Sequence, residues 1–263
     1  MSARNVVQAL WRLRRALGSL LVVALAWEAV TRAKLVPAFL LPMPSDIARA
    51  IAADLPLFAY HAVYTLEATL AGFVLAVVLG VGLAMLIVQF RFVEDTLYPL
   101  LVSLNSVPKV AIAPLFIVWM GTGMEPKIAI AGMIAIFAIV IDTVHGLRSV
   151  DPEMIELGRS VRGSRMALLW RIRFPHALPS IFAGMKVAIS LALIGAIVGE
   201  FVAAKRGLGY LILMGQGQFD VVRMFAAVIV LSVLGLALFY AVGFLERVLV
   251  PWQAARRTAT ATH

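Results

Sequence analysis

Cysteine is absent from the 263-residue chain, which excludes disulfides and thiolate metal sites and leaves the redox compartment open. Charge is scarce too: 14% of residues are Asp, Glu, Lys or Arg and 62% are hydrophobic, against about 25% and about 45–50% in a soluble domain. That balance describes an integral membrane protein. Acidic residues are the rarer sign, 14 against 23 Lys and Arg. A basic excess suggests nucleic acid, but a phosphate-binding face must be solvated, and these basic residues stand in short segments beside apolar runs. No nucleic-acid partner is expected. The four histidines, His61, His145, His176 and His263, are scattered. Without an HExxH or comparable pairing, no metal, no cofactor and no catalytic group is expected. Nothing matches G-x-x-x-x-G-K-[ST], so the chain is not expected to hydrolyse ATP itself. GLGYLI lacks the preceding strand of a dinucleotide fingerprint.

What is present is a series of apolar runs. Crossing a hydrocarbon core takes roughly 20 helical residues, and about six segments qualify: 17–36, 61–89, 97–120, 127–146, 181–203 and 224–250. Backbone groups exposed to lipid must be paired internally, so each is expected to be a helix. The first follows a basic start like that of a signal peptide, but it contains Trp27 and Glu28 and ends in TRAK with no small-residue cleavage site. It reads as a retained span. The expected organisation is a basic cytoplasmic N-terminus at 1–16, one all-α membrane domain at 17–250, and a short disordered cytoplasmic tail at 251–263. With the N-terminus inside, fifteen of the Lys and Arg residues fall on the cytoplasmic side, among them Arg91, Arg148, Arg173 and Lys186. Seven, including Lys127, Lys205 and Arg206, fall outside, and Lys109 lies within a span. The asymmetry predicts cytoplasmic termini.

Several segments carry further signals. In PAFLLPMPSDIARAIAADLPLF, Ser45 is placed as an N-cap and Ile47, Ile51 and Leu55 share one face, which predicts a short helix at the outer interface. Gly72, Gly80 and Gly82 allow close helix approach in the second span without naming a partner. The third span holds Asn105, Ser106, Pro108, Lys109 and Pro114, groups better suited to a water-filled path than to lipid. The stretch 203–224 reads as a partly re-entrant or interfacial hairpin. Of the intramembrane acids, Glu28 and Glu67 lie near span ends, and Glu200 is either paired with Lys205 and Arg206 or a gate group at the outer mouth.

The polar interval 150–181 is the only long one in the chain. Asp151 is a fair N-cap, Pro152 suits the first helical position, and Glu153 suits the positive end of a helix dipole. A helix is predicted from Pro152 to about Leu169, with Pro175 and Pro179 limiting the next segment. Met154, Leu157 and Val161 form one apolar stripe, while Glu156, Arg159 and Arg162 offer charges to a partner.

This interval resembles the cytoplasmic signature loop of the permease subunits of binding-protein-dependent ABC importers, written E-A-A, three residues, G, nine residues, I-x-L-P. Glu156-Leu157-Gly158 stands at E-A-A, and Ile172-Arg173-Phe174-Pro175 at I-x-L-P. Arg162 occupies the glycine position and Phe174 the leucine position. Because glycine adopts positive φ most readily, Arg162 puts the local turn in question, and a one-residue shift onto Gly163 would restore it. VPKVAIAPLFIVWMGTG, FPHALPSIFAGMKVAISLALIGAIVGEF and FLERVLVPW look like the nitrate/sulfonate/taurine branch.

The resemblance implies a type I importer (MetI-like) fold. Its partners would be a second permease copy, separate ABC ATPase subunits, an extracytoplasmic solute-binding protein and membrane lipid, in a bacterial inner membrane. Glu153, Met154, Glu156, Leu157, Gly158, Val161, Arg162, Gly163, Ile172 and Pro175 would couple to the ATPase through two short helices. Asn105, Ser106, Pro108 and Glu200 are candidates for the translocation pathway. The solute would come from the range of nitrate, sulfonates, taurine, aromatic acids and vitamin precursors. The alternative is a secondary carrier or channel independent of an ATPase.

Overall fold

The computed structural model describes residues 3–252, and among these no strand occurs. The helices are α1 (Ala3–Arg32), α2 (Pro44–Ala53), α3 (Leu55–Gln89), α4 (Arg91–Asn105), α5 (Lys109–Met120), α6 (Glu125–Arg148), α7 (Pro152–Ser160), α8 (Arg165–Leu168), α9 (Phe174–Ala203), α10 (Leu208–Gly217) and α11 (Val221–Leu249), with a π-helical turn at Leu169–Arg173 between α8 and α9. Among the described residues four helical stretches are long and apolar enough to cross a membrane: α3, α6, Arg165–Ala203 and α11. The bent pair α4–α5 would make five. The first expected span is α1, which stops at Arg32 rather than at 36. The tail expected at 251–263 lies outside the described residues from 253 onward.

The expected third span is not one helix. α4 and α5 meet at a 99° bend, because Pro108 has no N–H to donate and disfavours a helical conformation at Val107. The opposite correction applies after the polar interval. Pro175 sits in the first turn of α9 and Pro179 lies inside it, so neither proline limits the helix. The π-turn accounts for this: the Phe174 N–H reaches five residues back to the Leu169 carbonyl. That widening gives room one turn before Pro175, whose ring would otherwise crowd the Arg171 carbonyl.

The chain divides into two compact units, residues 1–59 with 211–230, and residues 60–210 with 231–263. In the first unit, the predicted Ser45 cap is replaced. Met43 is the N-cap of α2 and makes no side-chain cap bond. The Glu28 carboxylate of α1 does the capping, accepting from the Ser45 N–H at 3.0 Å and the Ser45 hydroxyl at 2.8 Å, and it pairs with Arg32 at 2.8 Å. Trp27 ties down the intervening loop by donating from Nε1 to the Pro42 carbonyl at 3.1 Å.

The second unit is built on α6 and α9, which run antiparallel along a seam of small residues. A Cβ at Gly195 would lie 2.6 Å from Ala131 Cα, and one at Gly146 would lie 2.7 Å from Ser180 Cβ. Such residues let helices approach closely where no hydrophobic effect drives them together. Gly72 and Gly80 bring α3 onto α6 in the same way, against Ala131 and Ile139, whereas Gly82 has nothing within 4 Å. Lys186, counted above among the cytoplasmic charges, lies within α9 and forms an ion pair with Glu246 of α11.

Candidate functional site

The predicted helix from Pro152 to Leu169 is two helices separated by a turn. α7 starts as expected, with Asp151 accepting from the Glu153 N–H at 3.4 Å and Pro152 in the first turn. It ends at Ser160, and Arg162 adopts φ +58°. The Gly163 N–H returns to the Gly158 carbonyl at 3.0 Å, the six-to-one bond of a Schellman cap with Arg162 in the left-handed position. The chain then restarts at Ser164, whose hydroxyl accepts from the Ala167 N–H at 3.2 Å. No shift onto Gly163 takes place. Gly163 is needed for a different reason, since a Cβ there would lie 2.5 Å from the Gly158 carbonyl oxygen.

This turn sorts the candidate residues into two faces. Met154, Leu157 and Val161 are 52%, 64% and 74% exposed, and Glu153, Glu156 and Arg162 are exposed beside them. Gly158 is buried, and a Cβ there would strike Leu168 and lie 2.9 Å from Ile172 Cδ1. Ile172 and Pro175 are half-buried. Leu168 and Ile172 pack against Gly158 and brace the turn from behind. Two exposed residues went unnoticed in the sequence, Met166 and Trp170, at 53% and 51% exposure. The signal was there, since both are apolar side chains in an otherwise basic run. Leu168, the buried wedge behind both glycines, gave none.

The tentative pathway residues do not form one cluster. Asn105, Ser106 and Pro108 are exposed at the α4–α5 bend. Lys109 donates to the Asn105 carbonyl and side-chain oxygen, both at 2.9 Å, and lies 4.4 Å from the Phe137 ring centroid. Glu200 is elsewhere and fully buried. It shows no ion pair with Lys205 or Arg206. Its carboxyl group instead accepts from the Thr65 hydroxyl at 2.8 Å and the Gly209 N–H at 2.7 Å. The Leu208 N–H donates to Thr65 Oγ1 at 2.8 Å, and the Gly207 N–H to His61 Nδ1 at 2.9 Å. The unpaired N–H groups that begin α10 are thus held by three side chains from α3 and α9. Lys127, counted with the outer charges at the start of the fourth span, lies buried in the first turn of α6, with its ammonium on the carbonyls of Thr122 and Gly123 at 3.2 and 2.5 Å.

The family model for the inner membrane component of binding-protein-dependent transport systems matches residues 72–251, which includes the turn, the seam, Glu200 and α10. The chain belongs to this permease family. It is 37% identical over 239 residues to a riboflavin transport system permease protein of Chloroflexus aurantiacus, covering 90% of this chain and 89% of that one. It is 36% identical over 234 residues to a formylaminopyrimidine transport permease protein of Halalkalibacterium halodurans, covering 89% and 93%. Among solved structures, the inward-facing MetNI methionine ABC transporter matches with a TM-score of 0.66 at 19% identity, covering 74% of this chain and 96% of that one. The permease therefore has the MetI-like fold, and it is the membrane-spanning part of an ABC importer.

In this permease the left-handed residue of the turn is an arginine where the family motif has glycine. A non-glycine residue in that conformation costs roughly 1–2 kcal/mol. Arg162→Gly is expected to stabilise the turn by about 1 kcal/mol, partly offset by the freer unfolded chain. Thermal unfolding in detergent reads this as a rise in Tm, and a fall would show that the Arg162 side chain contributes more than its backbone costs.

Proposed function

We propose that the permease translocates a small solute from an extracytoplasmic binding protein and that a separate ATPase, docked on the α7–α8 turn, supplies the energy. The chain has no hydrolytic role of its own in this reading. The observation that carries it is the exposed stripe of Met154, Leu157 and Val161 on a helix braced from behind by Gly158, Leu168 and Ile172. An apolar stripe on a rigid support fits a groove in another protein, and through it closure of the ATPase pair would rotate the spans between inward and outward access. Glu153, Glu156 and Arg162 flank the stripe as charge partners, with Gly163, Ile172 and Pro175 fixing its angle.

A homodimer is the simplest assembly, in the bacterial inner membrane with both termini cytoplasmic. The bend at Asn105, Ser106 and Pro108 would line the pathway in this reading, because a broken helix is tolerated at membrane depth only where protein or water covers it. Glu200 would act at the outer end by holding α10. Within the solute range given above, the names of the two relatives favour the vitamin-precursor class. The test is uptake in proteoliposomes that contain the permease, its ATPase and its binding protein, with riboflavin as the first probe. ATP-dependent uptake that disappears without the ATPase is expected. Uptake by the permease alone under an ion gradient would instead establish a secondary carrier.

A further inference from the structure

A second feature lies behind the coupling turn, in the same compact unit. The α3–α4 corner, α7, α8 and the π-turn border an open cavity of about 380 Å³ whose charged walls are Arg91, Glu94, Asp95, Arg159, Arg165 and Arg173. Both acids are already engaged: Glu94 accepts from Arg148 at 2.5 Å, and Asp95 lies 3.9 Å from Arg91. Arg159, Arg165 and Arg173 have no carboxylate within ion-pair distance among the described residues. Arg173 is half-buried and feels the like charges of Arg159 and Arg148.

Arg159, Arg165 and Arg173, which have no ion-pair partner of their own among the described residues, repel one another, more strongly as water is excluded. A planar fork of N–H donors matches phosphate oxygens in pairs, and the cavity is many times the roughly 30 Å³ share of a water molecule, enough for a phosphate with its glycerol. The sequence places this end of the spans at the cytoplasmic surface, where basic pockets between helices meet anionic headgroups.

The geometry points to a phosphate-binding pocket, formed by Arg91, Arg159, Arg165 and Arg173, that takes either the phosphodiester headgroup of an anionic lipid or a free phosphate anion. The bound anion would tie the coupling turn to the α3–α4 corner. This rests on the proposed cytoplasmic, ATPase-facing position of the turn, so ATPase retention is measured in every sample to report that reading separately.

The complete permease–ATPase complex is placed in nanodiscs of phosphatidylcholine with a minor fraction of phosphatidylglycerol, and the lipids it retains are counted by native mass spectrometry. In phosphatidylcholine discs alone, inorganic phosphate is tested for protection of Arg165 and Arg173 against phenylglyoxal. Retention of phosphatidylglycerol, falling about tenfold in Arg165→Gln/Arg173→Gln and restored in Arg165→Lys/Arg173→Lys, identifies a lipid as the source. Protection by inorganic phosphate identifies a soluble anion. Arg91→Gln, on the exposed rim where folding is not at stake, should weaken whichever is bound. Neither retention nor protection, or equal retention by the Gln variant, overturns the pocket.

Discussion

Met154→Asp/Leu157→Asp should leave the permease in the membrane and abolish uptake. Both side chains are more than half exposed, and surface changes away from special features usually move stability by less than about 0.5 kcal/mol, so folding has little reason to fail. Docking is different. Burying a Leu or Met contributes about 1.5–3 kcal/mol each, and an unpaired carboxylate in their place adds a desolvation cost. Even the lower sum, about 3 kcal/mol, lowers affinity more than a hundredfold. The expected result is loss of the ATPase from the purified complex with the membrane fraction unchanged. Full ATPase recovery with normal uptake would remove the coupling assignment. The milder Glu156→Lys should weaken assembly or uncouple hydrolysis from uptake.

Most of this site was legible because it combines two signals that rarely coincide by chance. The stripe at Met154, Leu157 and Val161 is helical spacing in a polar setting, and Asp151-Pro152 marks a helix start by rules that act within four residues. The end of α7 was less legible. Glycine at 163 invited a positive φ there, but the Schellman bond runs from the Gly163 N–H to the Gly158 carbonyl, which places the left-handed residue at Arg162. Lys34 and Phe219 adopt the same conformation, φ 56° and 57°, where Leu35 and Asp220 make the equivalent bonds to Val30 and Gly215. Three helices therefore end in this cap without glycine at its usual position, so propensity alone is a poor guide to where they stop.

Hydropathy predicts six spans, whereas among the described residues four helices, or five with the bent pair, are long and apolar enough to cross, and the shape of the third was not legible either. Apolar character continues through residues 97–120 while the backbone turns by 99°, because proline stops a helix without altering hydropathy. Pro175 had the opposite effect on expectation, since the π-turn before it depends on bonds five residues apart that composition does not register. Glu28, Lys127, Lys186 and Glu200 share one explanation. Lys127 and Lys186 count as loop charges in the sequence and Glu28 and Glu200 as intramembrane acids, and each is held by a hydrogen-bond or ion-pair partner. For Glu28, Lys186 and Glu200 that partner lies 17, 60 and 135 residues away, beyond the reach of local pattern.

Glu200→Ala is expected to destabilise the permease by about 3 kcal/mol, and Gly207→Ala by more. Removing the carboxyl leaves the Gly209 N–H without an acceptor in a fully buried site. Leaving that buried donor unsatisfied costs about 1–3 kcal/mol, and the lost bond from Thr65 adds about 0.5–1.5 kcal/mol. Thr65 is less affected, because its hydroxyl has a second acceptor in the His61 carbonyl at 3.2 Å. Gly207 has no such alternative. Its φ is +112°, and a Cβ built there falls on the Glu200 carboxyl group, so alanine would combine backbone strain with expulsion of the carboxyl. For a chain of this size about 3 kcal/mol corresponds to roughly 6–12 °C in Tm. Glu200→Gln keeps one acceptor oxygen and should fall between wild type and Glu200→Ala. Equal Tm values for wild type, Glu200→Ala and Glu200→Gln would mean that α10 is held by His61 and Thr65 alone. A Tm shift of the expected size, with ATPase binding to the α7–α8 turn intact, would show that the α10 clasp acts independently of the coupling surface.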